Sequence, residues 1–131
     1  VEELKVRHLV GHGAAALIRS AVPADEADAL VALGRPIFLD YYRANICGGS
    51  RLYPGARAVL KELNERFSLA VCTNKPEALA RRLLSQLEVD QFFEVLIGGD
   101  TCSSAKPSPV PLLTAMERAG ARCGLLVGDS I

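Results

Sequence analysis

The chain has 131 residues, half of them hydrophobic, and its 15 basic side chains balance 15 acidic ones. That length suits one domain, or one compact lobe with an insertion, and the apolar half is enough for a sizeable core. A net charge of zero argues against general binding to nucleic acid or acidic membranes, no apolar run approaches the roughly 20 residues that span a bilayer, and nothing resembles a signal peptide.

The first fifty residues have a helical pattern. VGHGAAALIRSAV places Val10, Ala14, Leu17, Ile18 and Ala21 on one face. Pro23 breaks that element, and ADEADALVAL restarts with acidic residues in its first turn, where they complement the helix dipole. Gly34 and Pro36 are expected to kink or divide this second helix. IFLDYYRANI continues it to the turn-like CGGS at 47–50, with Phe38, Tyr41 and Tyr42 read as core and Arg19, Arg35 and Arg43 as surface charges.

From Tyr53 the texture changes. PGARAVLKELNERF carries a stripe of Ala56, Val59, Leu60 and Leu63, with Pro54 suited to the helix start. SLAVCT reads as a short apolar strand, PEALARRLLSQL as a helix, FEVLIGG as a second strand, PVPLLTAMERAG as a helix and CGLLVGD as a third strand. Helices alternating with apolar strands predict a parallel sheet covered by helices. The four cysteines (47, 72, 102 and 123) form neither CxxC pairs nor a secreted disulfide framework. They read as free thiols in a reducing cytoplasm, with Cys72 and Cys123 as small core residues.

Ligands of open parallel α/β sheets bind beyond the carboxyl ends of the strands. The first strand is followed by Thr73-Asn74-Lys75-Pro76, the second by Gly98-Gly99-Asp100 and a loop to Lys106-Pro107, the third by Gly128-Asp129-Ser130. This set suits a phosphate and a divalent cation. Thr73 and neighbouring backbone N–H groups can donate to phosphate oxygens, Lys106 offsets their charge, and Asp129 is an oxygen ligand for a hard ion such as Mg²⁺. Taken singly, Thr73 would cap the next helix, Lys106 would be a loop charge and Asp129 a turn residue; their joint placement favours the site. Lys75 reads as a solvated loop charge and Asp100 as a loop residue. His8 and His12, four apart, have zinc-ligand spacing but no third ligand, and His12 reads as a surface residue above the site.

The order of Thr73 after a strand, then Lys106-Pro107, then Gly128-Asp129-Ser130 after a strand resembles the later three motifs of the haloacid dehalogenase-like hydrolases. LYPGARAVLKEL and LAVCTNKP look like the phosphoglycolate phosphatase branch, and VRHLVGHGA at 6–14 is similar to that branch's helical cap. The resemblance implies a Rossmann-like parallel sheet flanked by helices, with a helical cap at 1–50 and an α/β core at 51–131. It implies that Thr73 binds the transferring phosphoryl group with support from Asn74, that Lys106 steadies nucleophile and phosphate, and that Asp129 helps hold Mg²⁺. The reaction it implies is attack by an aspartate on phosphorus, giving an aspartyl-phosphate that water hydrolyses.

The family's first motif, Asp-x-Asp followed by Gly-Thr, has no counterpart here, so neither nucleophile nor general acid/base can be assigned. The fourth motif stops short of its second acidic residue. Together with Val1 at the start and Met116 as the sole methionine, this predicts a segment of a longer protein, inactive alone, whose core lacks its central first strand. The resulting reading is a Mg²⁺-dependent phosphatase of a small phosphorylated metabolite, 2-phosphoglycolate by the branch resemblance. The alternatives are a sugar-phosphate mutase or dehalogenase on the same fold, or a non-catalytic binding domain; Asn74-Lys75-Pro76 leans towards the phosphatase.

Overall fold

The structure, a computed structural model, describes residues 13–128, and the chain divides into two compact units, Val1–Asn45 and Ile46–Ile131. The expectations for His8, Val10 and His12, and for Asp129 and Ser130, lie outside the described residues.

In the first unit, helices α1 (Ala14–Ala21) and α2 (Ala27–Ala44) pack against each other. Val22 ends α1 in extended backbone, as the residue before a proline is driven to do. Against the expected division, α2 runs through Gly34 and Pro36 as one helix of 18 residues. Gly34 gives the physical reason: a Cβ there would stand 3.6 Å from Ile18 Cδ1, so the bare glycine lies at the contact with α1. Packing of this kind carries most of a helix's stability and outweighs the propensity cost of about 3 kcal/mol for an interior proline. Tyr41 is exposed, contrary to its reading as core, whereas Phe38 and Tyr42 stack on each other with ring centroids 6.1 Å apart. Arg19 and Arg43 pair at the surface with Asp28 and Asp40.

The second unit begins with a type II turn. Ala56 N–H donates to the Tyr53 carbonyl at 3.1 Å, with Pro54 second and Gly55 third at φ 81°, the left-handed geometry that the third position requires. Pro54 therefore precedes helix α3 (Ala56–Asn64) by two residues. The chain continues through β1 (Ala70–Cys72), α4 (Glu77–Gln86), a 3-10 turn (Asp90–Phe92), β2 (Val95–Ile97) and α5 (Val110–Arg118). β1 and β2 are parallel, with Ala70 opposite Val95 and Cys72 opposite Ile97. Thr73 N–H to the Ile97 carbonyl and Glu94 N–H to the Leu69 carbonyl, both 2.9 Å, extend the ladder at each end.

Alternation along β2 sends Val95 and Ile97 to one face, where they cluster with Ala115 of α5. Leu96 points to the other face, beside Arg81, Leu84 and Ser85 of α4. Helices thus flank both faces of the parallel pair, as the helix–strand alternation predicts.

The third expected strand does not form. Residues 123–128 carry no strand, and Cys123, Leu125, Leu126 and Val127 are exposed, so Cys123 is not a core residue. A strand persists only where its N–H and C=O groups meet a partner, and among the described residues no segment pairs with this run.

Candidate functional site

Thr73 leaves β1 with its N–H still in the ladder, while its Oγ1 accepts the Lys75 N–H at 3.2 Å in a tight local turn. It does not cap the following helix. Pro76 occupies the N-cap of α4, and the helix's first N–H, from Glu77, donates to Asp100 Oδ1 at 2.7 Å. Asp100 is thus a loop residue that satisfies an otherwise orphan helix donor from a different loop.

The two post-strand loops are bound together closely. Gly99 N–H donates to the Lys75 carbonyl at 2.8 Å. A Cβ at Gly98 would overlap the Glu77 backbone, and one at Gly99 would overlap the Asn74 carbonyl, so this dipeptide is glycine for lack of room. Thr101 Oγ1 accepts the Gly98 N–H at 2.8 Å and donates to Glu77 Oε2 at 2.6 Å. With Arg81 2.9 Å from its other oxygen, the Glu77 carboxyl is held below the usual carboxylate range, chiefly by the Thr101 bond and then by Arg81. Lys75, expected to be a solvated charge, is half-buried, with its N–H and C=O both engaged.

Lys106 is brought to the same place from 32 residues beyond Asn74. Asn74 Nδ2 donates to the Lys106 carbonyl at 3.1 Å, and the Lys106 N–H donates to Asn74 Oδ1 at 2.9 Å. Burial pushes the Cys72 thiol up in pKa, and the Lys106 charge opposes that shift, which puts the ammonium within electrostatic reach of the end of β1. Thr73, Asn74 and Lys106 therefore gather at the carboxyl end of the parallel pair, whereas Asp129 lies outside the described residues. A hydroxyl and an ammonium at one sheet end can receive an anion such as phosphate.

Among the described residues no group of three or more His, Cys, Asp or Glu side chains is placed to hold a metal ion. The carboxylates of this loop pair, Glu77 and Asp100, are engaged with Thr101, Arg81 and the α4 terminus. Sequence reasoning missed the network of Glu77, Gly98, Gly99 and Thr101. Its one visible signal is the Gly-Gly pair directly after a strand, which marks close backbone approach without saying to what.

The family model of the haloacid dehalogenase-like hydrolases matches residues 2–131. The chain is 41% identical over 133 residues to the phosphoglycolate phosphatase of Pseudomonas putida, covering 95% of this chain and 48% of that protein. It is 38% identical over 140 residues to the phosphoglycolate phosphatase of Rhodospirillum rubrum, covering 99% and 58% respectively. The chain spans about half the length of these curated relatives. A crystal structure from Haemophilus somnus, described as a predicted phosphoglycolate phosphatase, matches with a TM-score of 0.78 at 28% identity, over 92% of this chain and 57% of that one. A haloacid dehalogenase-like hydrolase from Streptococcus pneumoniae shares the fold, with a TM-score of 0.75 at 20% identity.

Proposed function

The chain belongs to the haloacid dehalogenase-like hydrolases, and from that premise we propose that the protein is a Mg²⁺-dependent phosphatase of a small phosphorylated metabolite, 2-phosphoglycolate. The observation that carries this reading is the juxtaposition of Thr73 and Lys106 through Asn74 at the carboxyl end of β1 and β2. The names of the relatives support the substrate. Residues 1–50 would be the helical cap and 51–131 the α/β core. Four free thiols support work in a reducing cytoplasm.

In this reading the Thr73 hydroxyl donates to a phosphoryl oxygen and Lys106 offsets charge between the phosphate and an attacking carboxylate. That electrostatic contribution grows as the two anions approach, so it falls mainly on the transition state. The aspartate that would carry the phosphoryl group has no counterpart among these 131 residues. Bound Mg²⁺, with Asp129 among its ligands, would neutralise phosphate charge.

The test is hydrolysis of 2-phosphoglycolate and of p-nitrophenyl phosphate by the full-length protein, with Mg²⁺ and with EDTA. Metal-dependent turnover is expected, lowered about a hundred- to thousandfold in Lys106→Ala. Thr73→Val should slow phosphoryl transfer without unfolding the protein, and Asp129→Asn should demand more Mg²⁺. Absence of turnover on both esters would overturn the reading.

A further inference from the structure

The resemblance would give Asn74 a supporting contact to the phosphoryl group, but its carboxamide is turned to another task. Nδ2 donates to the Lys106 carbonyl at 3.1 Å while Oδ1 accepts the Lys106 N–H at 2.9 Å. Two bonds to the main chain of one residue fix both its position and its rotation, as a neighbouring strand would. Asn74 is itself held on both sides. The Thr73 N–H before it stays in the sheet ladder, the Lys75 carbonyl after it accepts from Gly99, and Gly99 lies against its own carbonyl. Among the described residues, the Asn74 side chain ties the Lys106 main chain to the end of the sheet by these two bonds.

We infer that Asn74 is the positioning residue of this site. It sets where the Lys106 ammonium stands relative to Thr73, and it acts on phosphoryl transfer through the lysine instead of through a contact of its own to phosphate. The inference rests on the phosphatase reading above for its kinetic consequence, but not for its geometry. A lysine charge sits on a flexible four-carbon stem, so a fixed main chain is what limits the space it samples. A displacement of about 1 Å from reacting groups costs roughly a hundredfold in rate.

The experiment is a double-mutant cycle in the full-length protein with 2-phosphoglycolate as substrate. Asn74→Ala should lower kcat by about a hundredfold with KM little changed. Lys106→Ala removes the ammonium and leaves its main chain for the clamp. In that background Asn74→Ala should cost almost nothing further, because the charge it positions is gone. Asn74→Asp, which keeps the shape and the acceptor facing the Lys106 N–H, should show the same lack of additivity with a smaller loss. Losses that add in the double variants would overturn the inference and give Asn74 a contact of its own. Amide hydrogen exchange gives a readout that needs no activity: in Asn74→Ala the Lys106 N–H should exchange faster while the Thr73 N–H, bonded to Ile97, stays protected. Unchanged exchange at Lys106 would also overturn the inference. A wild-type protein inactive on both esters would instead sink the phosphatase reading, leaving the exchange result to judge the clamp.

Discussion

Val95–Leu96–Ile97 and Leu125–Leu126–Val127 are nearly interchangeable as sequence, each an apolar triplet followed by glycine. In the folded chain they have opposite fates. The first is β2, with exposures of 7%, 5% and 0%; the second is irregular backbone at 90%, 49% and 85%. Both are wholly aliphatic and both contain β-branched residues, two in the first and one in the second, a difference too small to explain opposite fates. What differs is company: β2 has β1 along one edge and helices α4 and α5 on its faces, whereas no described segment pairs with 125–127. A strand is a property of its neighbours as much as of its residues.

The comparison is most open to attack by truncation. Ile97→Ala deletes packing from a fully buried side chain and should cost about 2–5 kcal/mol. Leu126→Ala should stay within about 0.5 kcal/mol of wild type. Urea unfolding of both variants reads the difference directly, and equal losses would mean that the second run is buried in solution.

The glycine after each triplet sharpens the contrast. Gly98→Ala would thrust a methyl group into the Glu77 backbone, and relieving the overlap should cost roughly 1–3 kcal/mol. A Cβ at Gly128 meets nothing within 4 Å, so Gly128→Ala should leave the melting temperature unchanged.

The smallest effect depends on pH. Glu77, tied to the β2 end through Thr101, has a folded pKa below its unfolded value. Its stabilisation is therefore complete above the unfolded pKa of about 4.3 and is lost as pH falls through the lower folded value. Wild type should melt above Glu77→Gln at neutral pH, and the gap should close in acid. Residues 124–128 contain no ionisable side chain, so no such dependence arises there. A gap that persisted in acid would show that the Thr101 contact does not depend on the charge of Glu77.

Local pattern carried the helices and the direction of the sheet. The stripe through Ala80, Leu83 and Leu84 lies in α4, with Leu87 at its C-cap, and the apolar runs before Thr73 and Gly98 are β1 and β2. The approach of Lys106 to Thr73 was also legible, because each follows a parallel strand and both loops must emerge at the same sheet end. What local pattern could not carry is identity of partner. Nothing near Pro36 or Gly34 announces Ile18, nothing near Asp100 announces the α4 terminus, and an asparagine in a loop does not disclose a bond 32 residues away. The failure at CGLLVGD, with Cys123, has the same root: an apolar run advertises a strand whether or not a partner lies alongside.

The clamp at Asn74 has a consequence for heredity. It grips the N–H and C=O of position 106, groups that every residue except proline supplies in the same place. The socket is blind to what it presents. Codon 106 can therefore change the side chain offered at the sheet's end without the loop having to be reinvented, and the geometry is encoded 32 residues upstream. In such an arrangement chemistry and scaffold mutate separately. Selection can try a different side chain at 106 in one step, while a loss at 74 degrades whatever 106 happens to carry.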